Sequence, residues 1–405
     1  MADGSGATAE ETSPLDAREQ WAVVSGLTLV SAALAAYEIA PASVTPLVRS
    51  SLGISGTEAG LLVSVMFGVA VVVSLPAGAV LDRTNSRVAV AASVAIALVV
   101  GVWGWWAAER GDFGLLLASR VVGGVAYVLV WNAGIDVTSR AVDGPRRATA
   151  VGAFTASGPI GFALGQGLGP TVASWFGWPA VFVAFNALAV VGLASFWVPS
   201  RGLGHADSGP APTLAEFGDV LQTRSVWLVG ALGFLAYALY LFVNSWAPSY
   251  LTDEVELSLA LSGVLVAAFP LIGVLSRVSG GLLSDRLFDG RRRPVLIASF
   301  VVTAPFLFAF ATLRSVGVLV VALVVAGFAI QLTLGLSFAY VRELVAERVA
   351  ATAVAFQTSV GLAGAFLSPI AGGALVESIG YESTFLLAAA LGAVGVAVAF
   401  VLPEP

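Results

Sequence analysis

Three ionisable side chains interrupt stretches that are otherwise apolar: Glu38, Arg120 and Arg277. A charge inside a long apolar run is costly in a membrane, so it faces a wet cavity or pairs with a neighbour, and it marks a route for solute or proton. No acidic residue in the run around Arg277 is spaced to pair with it. A guanidinium left open there is a ready anion site, because its planar fork fits a carboxylate with two bonds. Tyr37, Tyr237, Tyr240, Asn132, Asn244, Gln331 and Gln357 could add the few polar contacts that an otherwise apolar pocket needs. Taken singly, each of these reads better as a hydrogen bond between packed helices than as a ligand contact. A second group of charges lies at the ends of the apolar runs: Asp82, Arg83, Arg87 and Asp136, then Asp285 and Arg286. There is no Cys, so thiolate metal sites, disulfides and Cys nucleophiles are excluded. The single His, His205, lies in a polar loop and reads as solvated. With no nucleotide loop, metal cluster or catalytic triad, the residues point away from an enzyme, a cofactor or a nucleic-acid partner.

The elements that must hold these residues are membrane helices. Hydrophobic residues make up 58% of the chain, charged residues 11%, and the mean hydropathy is +0.94, which only a lipid solvent can accommodate over this length. Crossing the hydrocarbon takes about 20 apolar residues. Runs of that length are predicted near 21–42, 57–80, 88–108, 114–138, 148–172, 179–198, 225–250, 259–283, 294–313, 316–340, 351–375 and 382–402. Strands are not expected, because an open sheet cannot satisfy its backbone in lipid. Residues 1–20 are acidic, lack a basic leader and are expected to form a disordered tail. The first apolar run is too long for a signal peptide and is expected to be retained.

All 19 basic residues are Arg. Fourteen of them fall in the N-terminal tail and the even-numbered loops, which by the positive-inside rule puts both termini in the cytoplasm. The longest internal polar break, 201–224, reads as a cytoplasmic linker between a bundle at 21–200 and a second at 225–405. The two bundles repeat. At one offset of 203 residues, Gly60 meets Gly263, Asp82-Arg83 meets Asp285-Arg286, and Ala148-Thr149-Ala150-Val151 meets Ala351-Thr352-Ala353-Val354. Gly158, Gly161 and Gly169 meet Gly361, Gly364 and Gly372 at the same offset. Parallel repeats joined by a linker are a transporter architecture with the solute bound between the halves near mid-membrane. The expected class is therefore an all-α membrane protein of twelve helices in two six-helix repeats.

The residues also resemble a known family. Gly78 to Arg87, with Asp82-Arg83 at its centre, resembles the loop signature between helices 2 and 3 of the major facilitator superfamily. Gly281-Leu-Leu-Ser-Asp285-Arg286 with Arg291 to Arg293 resembles its second copy, and Arg120-Val-Val-Gly-Gly124 the Arg-containing helix 4 motif. One departure is Asn85, where the family usually has Gly. Phe269 to Gly281, centred on Arg277, is similar to helix 8 of nitrate/nitrite porters and oxalate–formate antiporter relatives, where an Arg contacts the anion. Asn244 to Leu251 is similar to helix 7 of organic-anion and sugar-phosphate permeases. Those nitrate porters carry a second Arg in helix 2, where the repeat here places Ser74, which weighs against nitrate itself.

The resemblance implies secondary transport by alternating access in a multi-pass protein of the cell membrane, acting as a monomer on a small anionic solute. It implies substrate contacts from Arg277, Arg120, Tyr37, Tyr240, Asn244, Gln331 and Gln357. It implies proton coupling through an ion pair of Glu38 with Arg120, and a cytoplasmic gate of Asp82, Arg83, Arg87, Asp136, Asp285 and Arg286. In that gate Asp82 and Asp285 would meet the N-termini of helices 11 and 5, and Asp136 would pair with Arg83 or Arg87. A drug or metabolite exporter of the same fold, with Arg277 structural, and a transporter-like sensor are the alternatives.

Overall fold

The computed structural model describes residues 15–81, 84–144, 146–203 and 214–404. The described residues form helices and connecting turns, with no strand among them. The membrane-crossing helices are α1 (Ala17–Ser43), α2 (Gly56–Leu81), α3 (Ser86–Glu109), α4 (Phe113–Ala141), α5 (Arg146–Phe176) and α6 (Val181–Trp197). The second half repeats them as α7 (Arg224–Asp253), α8 (259–287), α9 (Arg293–Thr312), α10 (Val316–Glu343), α11 (347–379) and α12 (381–400). The last two run into one another at Gly380, whose φ of 82° and ψ of 168° turn the chain out of the helix. An L side chain is disfavoured in that conformation, which is why glycine closes this turn.

The helix starts have local causes. α1 begins four residues before the predicted run, inside the stretch expected to be disordered, because Asp16 and Glu19 form a reciprocal capping box. Asn85, the departure from the family pattern, caps α3 by accepting from the Arg87 amide. The linker is not wholly irregular: Leu214–Gln222 is a short helix, and its Asp219 pairs with Arg348 of α11 at 2.7 Å. His205 lies outside the described residues.

With twelve crossings both termini lie at the same end, called here the terminal end; the opposite one is the distal end. Every residue of α1 from Val30 to Ser43 is buried, and so is every residue of α7 from Ala238 to Leu251. Helices apolar on all sides belong in the interior of a bundle. These are the distal halves of two repeat-related helices, so the halves of the protein pack tightly around them at that end. Farther from it the packing loosens. The first segment of α8, Leu259–Leu271, lies along α5, whereas the second, Gly273–Leu287, largely leaves it.

Candidate functional site between the two halves

Proline explains where three of the long polar side chains of this protein donate. A proline in a helix has no N–H, so the carbonyl four residues before it loses its partner. A buried carbonyl left that way must be satisfied from elsewhere. Pro41 opens the carbonyl of Tyr37, Pro159 that of Thr155, and Pro248 that of Asn244. Each is filled by a long side chain from another helix. Arg120 Nη1 donates to Tyr37 O at 2.8 Å, Arg277 Nη1 to Thr155 O at 3.2 Å, and Gln166 Nε2 to Asn244 O at 2.6 Å. The second and third of these bonds join one half of the protein to the other.

Arg120 is fully buried. Besides Tyr37 O it donates from Nε to Leu62 O at 3.0 Å and from Nη2 to the backbone carbonyl of Glu38 at 2.5 Å. Its guanidinium also lies 4.6 Å from the Tyr37 ring centroid. The expected hydrogen-bonded ion pair of Arg120 with the Glu38 carboxylate is therefore absent: the main chain around Pro41 holds the guanidinium first. Glu38 is 1% exposed and feels the Arg120 charge, but one of its carboxylate oxygens has no hydrogen-bond partner. Tyr37 is buried under Arg120 with its hydroxyl unpartnered.

Arg277 lies in the second segment of α8, ten residues before its end at Leu287 and so roughly 15 Å along the axis. That is deeper than the sequence spans imply, because α8 runs past residue 283. Apart from the bond to Thr155 its guanidinium is open, and its buried Nε has no partner. The Arg277 charge acts on the hydroxyls of Tyr127, Tyr237 and Tyr240, and the Glu38 charge on those of Tyr127 and Tyr240. Tyr127 and Tyr237 are partly buried. Tyr240 is stacked between Phe162 of α5 and Phe269 of α8, with centroids 5.7 and 5.6 Å away. Glu38, Arg277 and three tyrosines thus converge from α1, α4, α7 and α8 on one region.

Tyr127 is a member of this group that sequence reading missed. Its signal was its place two helical turns after Arg120, on the same face of α4. Three predicted contacts spend their amide nitrogens on the helices instead, Asn244 on its own and Gln357 and Gln331 on a neighbour. Asn244 Nδ2 donates to Tyr240 O, and Gln357 Nε2 to Ser337 Oγ at 3.0 Å. Gln331 Nε2 donates to the carbonyls of Phe269, Pro270 and Gly327, filling the break between the two segments of α8. Each retains a buried amide oxygen without a partner.

Among the gate residues, Asp82 and Arg83 lie outside the described residues. Asp136 pairs with Arg140, one turn on in its own helix, at 2.5 Å and accepts from Ser86 Oγ at 2.9 Å; of its two expected partners Arg87 bonds elsewhere and Arg83 lies outside the described residues. Arg87 turns to Trp197, donating to its carbonyl at 2.7 Å with the guanidinium 3.8 Å from the ring centroid. Asp285 pairs with Arg292 at 2.8 Å inside its own half and is 61% exposed, so it does not cap α5 as expected; Arg286 is exposed. An ion pair that crosses the halves lies at the distal end. Glu377 of α11 accepts from Arg49 at 2.7 Å and from the first amide of α2, Gly56, at 2.6 Å. Beside it α2 and α11 touch main chain to main chain at Gly56–Gly373 and Gly60–Pro369.

The comparisons agree with this architecture. A family model described as Major Facilitator Superfamily matches residues 26–290 and 280–405. A "Probable L-galactonate transporter" of Escherichia coli is 23% identical over 82% of this chain and 77% of its own length. A "Probable nitrate/nitrite transporter" of Mycobacterium tuberculosis is 29% identical over 64% of this chain and 65% of its own. Among solved structures, a bacterial homologue of the human lysosomal transporter Spinster, inward-facing and unoccupied, superimposes with a TM-score of 0.79 at 16% identity, covering 96% of this chain and 97% of that one.

Proposed function

The chain belongs to the Major Facilitator Superfamily, and on that premise we propose that it carries a small organic anion, a hydroxylated carboxylate, across the membrane by alternating access. It is a multi-pass membrane transporter rather than an enzyme. The observation that carries the substrate reading is the half-used Arg277 guanidinium, deep in the bundle and beside tyrosine hydroxyls. A carboxylate satisfies such a fork with two charge-assisted bonds. The tyrosines favour a carboxylate bearing hydroxyls over a bare oxyanion. Neither Tyr127 nor Tyr237 has a hydrogen-bond partner for its hydroxyl among the described residues. Among the described residues a second free cation for nitrate is lacking, since the three nitrogens of Arg120 are engaged by backbone and Ser74, in the place of a second Arg, bonds through Oγ to Ala70 O. The relative named for L-galactonate supports an organic acid, and the one named for nitrate supports an anion in general.

Proton coupling follows from Glu38 in this reading. Arg120 stays on the main chain, so the proton exchanges at a carboxyl group that lies near a fixed positive charge without being bonded to it. Neutralising that group removes a buried charge, and one state of the carrier then gains over the other. Proteoliposomes with an alkaline lumen are expected to accumulate L-galactonate through the wild-type protein. Glu38→Gln is expected to lose this accumulation and keep one-for-one exchange, which needs no net proton movement. Accumulation by Glu38→Gln equal to wild type rules Glu38 out as the coupling site. Failure of the wild type to move either L-galactonate or nitrate defeats the anion reading.

The Arg distribution supports a cytoplasmic terminal end, with the linker on the same side. The native chain has no Cys, so a single Cys placed at position 205 is a clean reporter. It is expected to react with an impermeant maleimide only after cells are opened; labelling on intact cells reverses the orientation.

A further inference from the structure

We propose that Pro159 is a positioning residue for the anion site: by leaving the Thr155 carbonyl open, it sets the plane of the Arg277 guanidinium. The inference rests on the reading of Arg277 as the anion anchor.

The geometry is specific. α5 is interrupted at Ala156, between Arg146–Thr155 and Ser157–Phe176. Thr155 O cannot receive the amide of residue 159, because that residue is proline. Arg277 Nη1 occupies the vacancy at 3.2 Å, reaching across from the other half. One nitrogen of a rigid planar fork is thereby pinned. The fork has no internal freedom, so pinning Nη1 restricts the plane of the rest, and Nη2, which bonds to nothing among the described residues, remains for an incoming oxygen. The Thr155 side chain is not needed for this, since its own hydroxyl bonds back to Gly152 O. The acceptor is main chain, and what keeps it available is the absence of one N–H.

Pro159→Ala restores that N–H. The Thr155 carbonyl then has a partner within its own helix, and the guanidinium loses part of its orientation. Alanine is a good helix former, so the variant is expected to fold. Binding is read by thermal-shift titration of the full-length protein in detergent with L-galactonate and with nitrate, the tighter of the two being used throughout. A hydrogen bond to a charged group is worth enough that losing part of it weakens binding about threefold to tenfold. Pro305→Ala is the control. Pro305 sits on an exposed face of α9, so the N–H restored there is remote from the site, and its affinity should equal wild type.

The discriminating measurement repeats Pro159→Ala in an Arg277→Lys background. An ammonium has no plane to orient, so the further loss there should stay within about twofold. An unchanged affinity in Pro159→Ala overturns the inference and leaves the anion anchor standing. An equal loss in both backgrounds also overturns it, since straightening of α5 alone then accounts for the effect. Arg277→Lys and Arg277→Gln that both bind as wild type, or a protein that binds neither probe, remove the anchor and the inference together.

Discussion

Arg277→Gln is expected to weaken binding of a carboxylate substrate by roughly ten- to a hundredfold, at about 1.5–3 kcal/mol for a hydrogen bond to a charged group. Glutamine keeps much of the length and some hydrogen bonding, so the loss isolates the charge and the fork. Arg277→Lys keeps the charge without the fork and should recover part of the affinity. The location makes the effect large. A surface arginine would lose little, because exposed ion pairs contribute about 0–1 kcal/mol. Arg277 lies roughly 15 Å from the end of its helix and has a buried Nε without a partner. The matched probe is the uncharged polyol of the same carbon chain, whose affinity Arg277 should not control. A ligand that binds all three proteins alike, whatever its charge, would place the substrate elsewhere and make Arg277 a tether between the halves.

Much of this architecture was legible in the sequence, and the failures share a cause. Apolar runs of membrane length fix the number and order of helices, and the offset of 203 residues fixes the pairing of the halves. Side-chain partners were less legible, because they depend on which carbonyls the helices leave open. Arg120 was expected to meet the Glu38 carboxylate but meets its carbonyl. Gln331 and Asn244 were expected at the substrate, yet each amide nitrogen bonds to main chain. For the Arg120–Tyr37, Arg277–Thr155 and Gln166–Asn244 bonds the missing step was to read each proline together with the residue four positions before it. Tyr37 with Pro41, Thr155 with Pro159 and Asn244 with Pro248 announce three open acceptors. The sequence does not say which donor will fill them, because the donors come from helices distant in the chain. The distal closure was missed for a similar reason: glycines in register suggest close packing, but only the fold says that Gly56 and Gly373 face one another.

That closure carries the second large prediction. Gly373→Ala and Gly60→Ala are each expected to hold the distal end open and to reduce transport at least tenfold, with insertion and expression preserved. A Cβ at Gly373 would overlap the Gly56 carbonyl, and one at Gly60 would overlap the Pro369 carbonyl. The obstacles are main chain, so no rotamer change can relieve them. Overpacking by one methyl group typically costs about 1–3 kcal/mol. If the open state escapes that cost, the equilibrium between the two moves by roughly five- to a hundred-and-fiftyfold. The ion pair beside it should matter less. Arg49 and Glu377 are 29% and 35% exposed at the side chain, and pairs in that range are weakened by water and salt. Glu377→Gln should therefore shift the equilibrium by only a few fold, even though the same oxygen takes the Gly56 amide. Spin labels on cysteines at Ser50 and Ser378, both exposed at the distal end, report the gate directly in a chain with no other thiol. The glycine variants should lengthen the distance between them, and Gly317→Ala, where no atom lies within 4 Å of the new Cβ, should leave it alone. Wild-type distance and turnover in Gly373→Ala would show that the helices part there at little cost, and the ion pair would then be what holds the distal end closed.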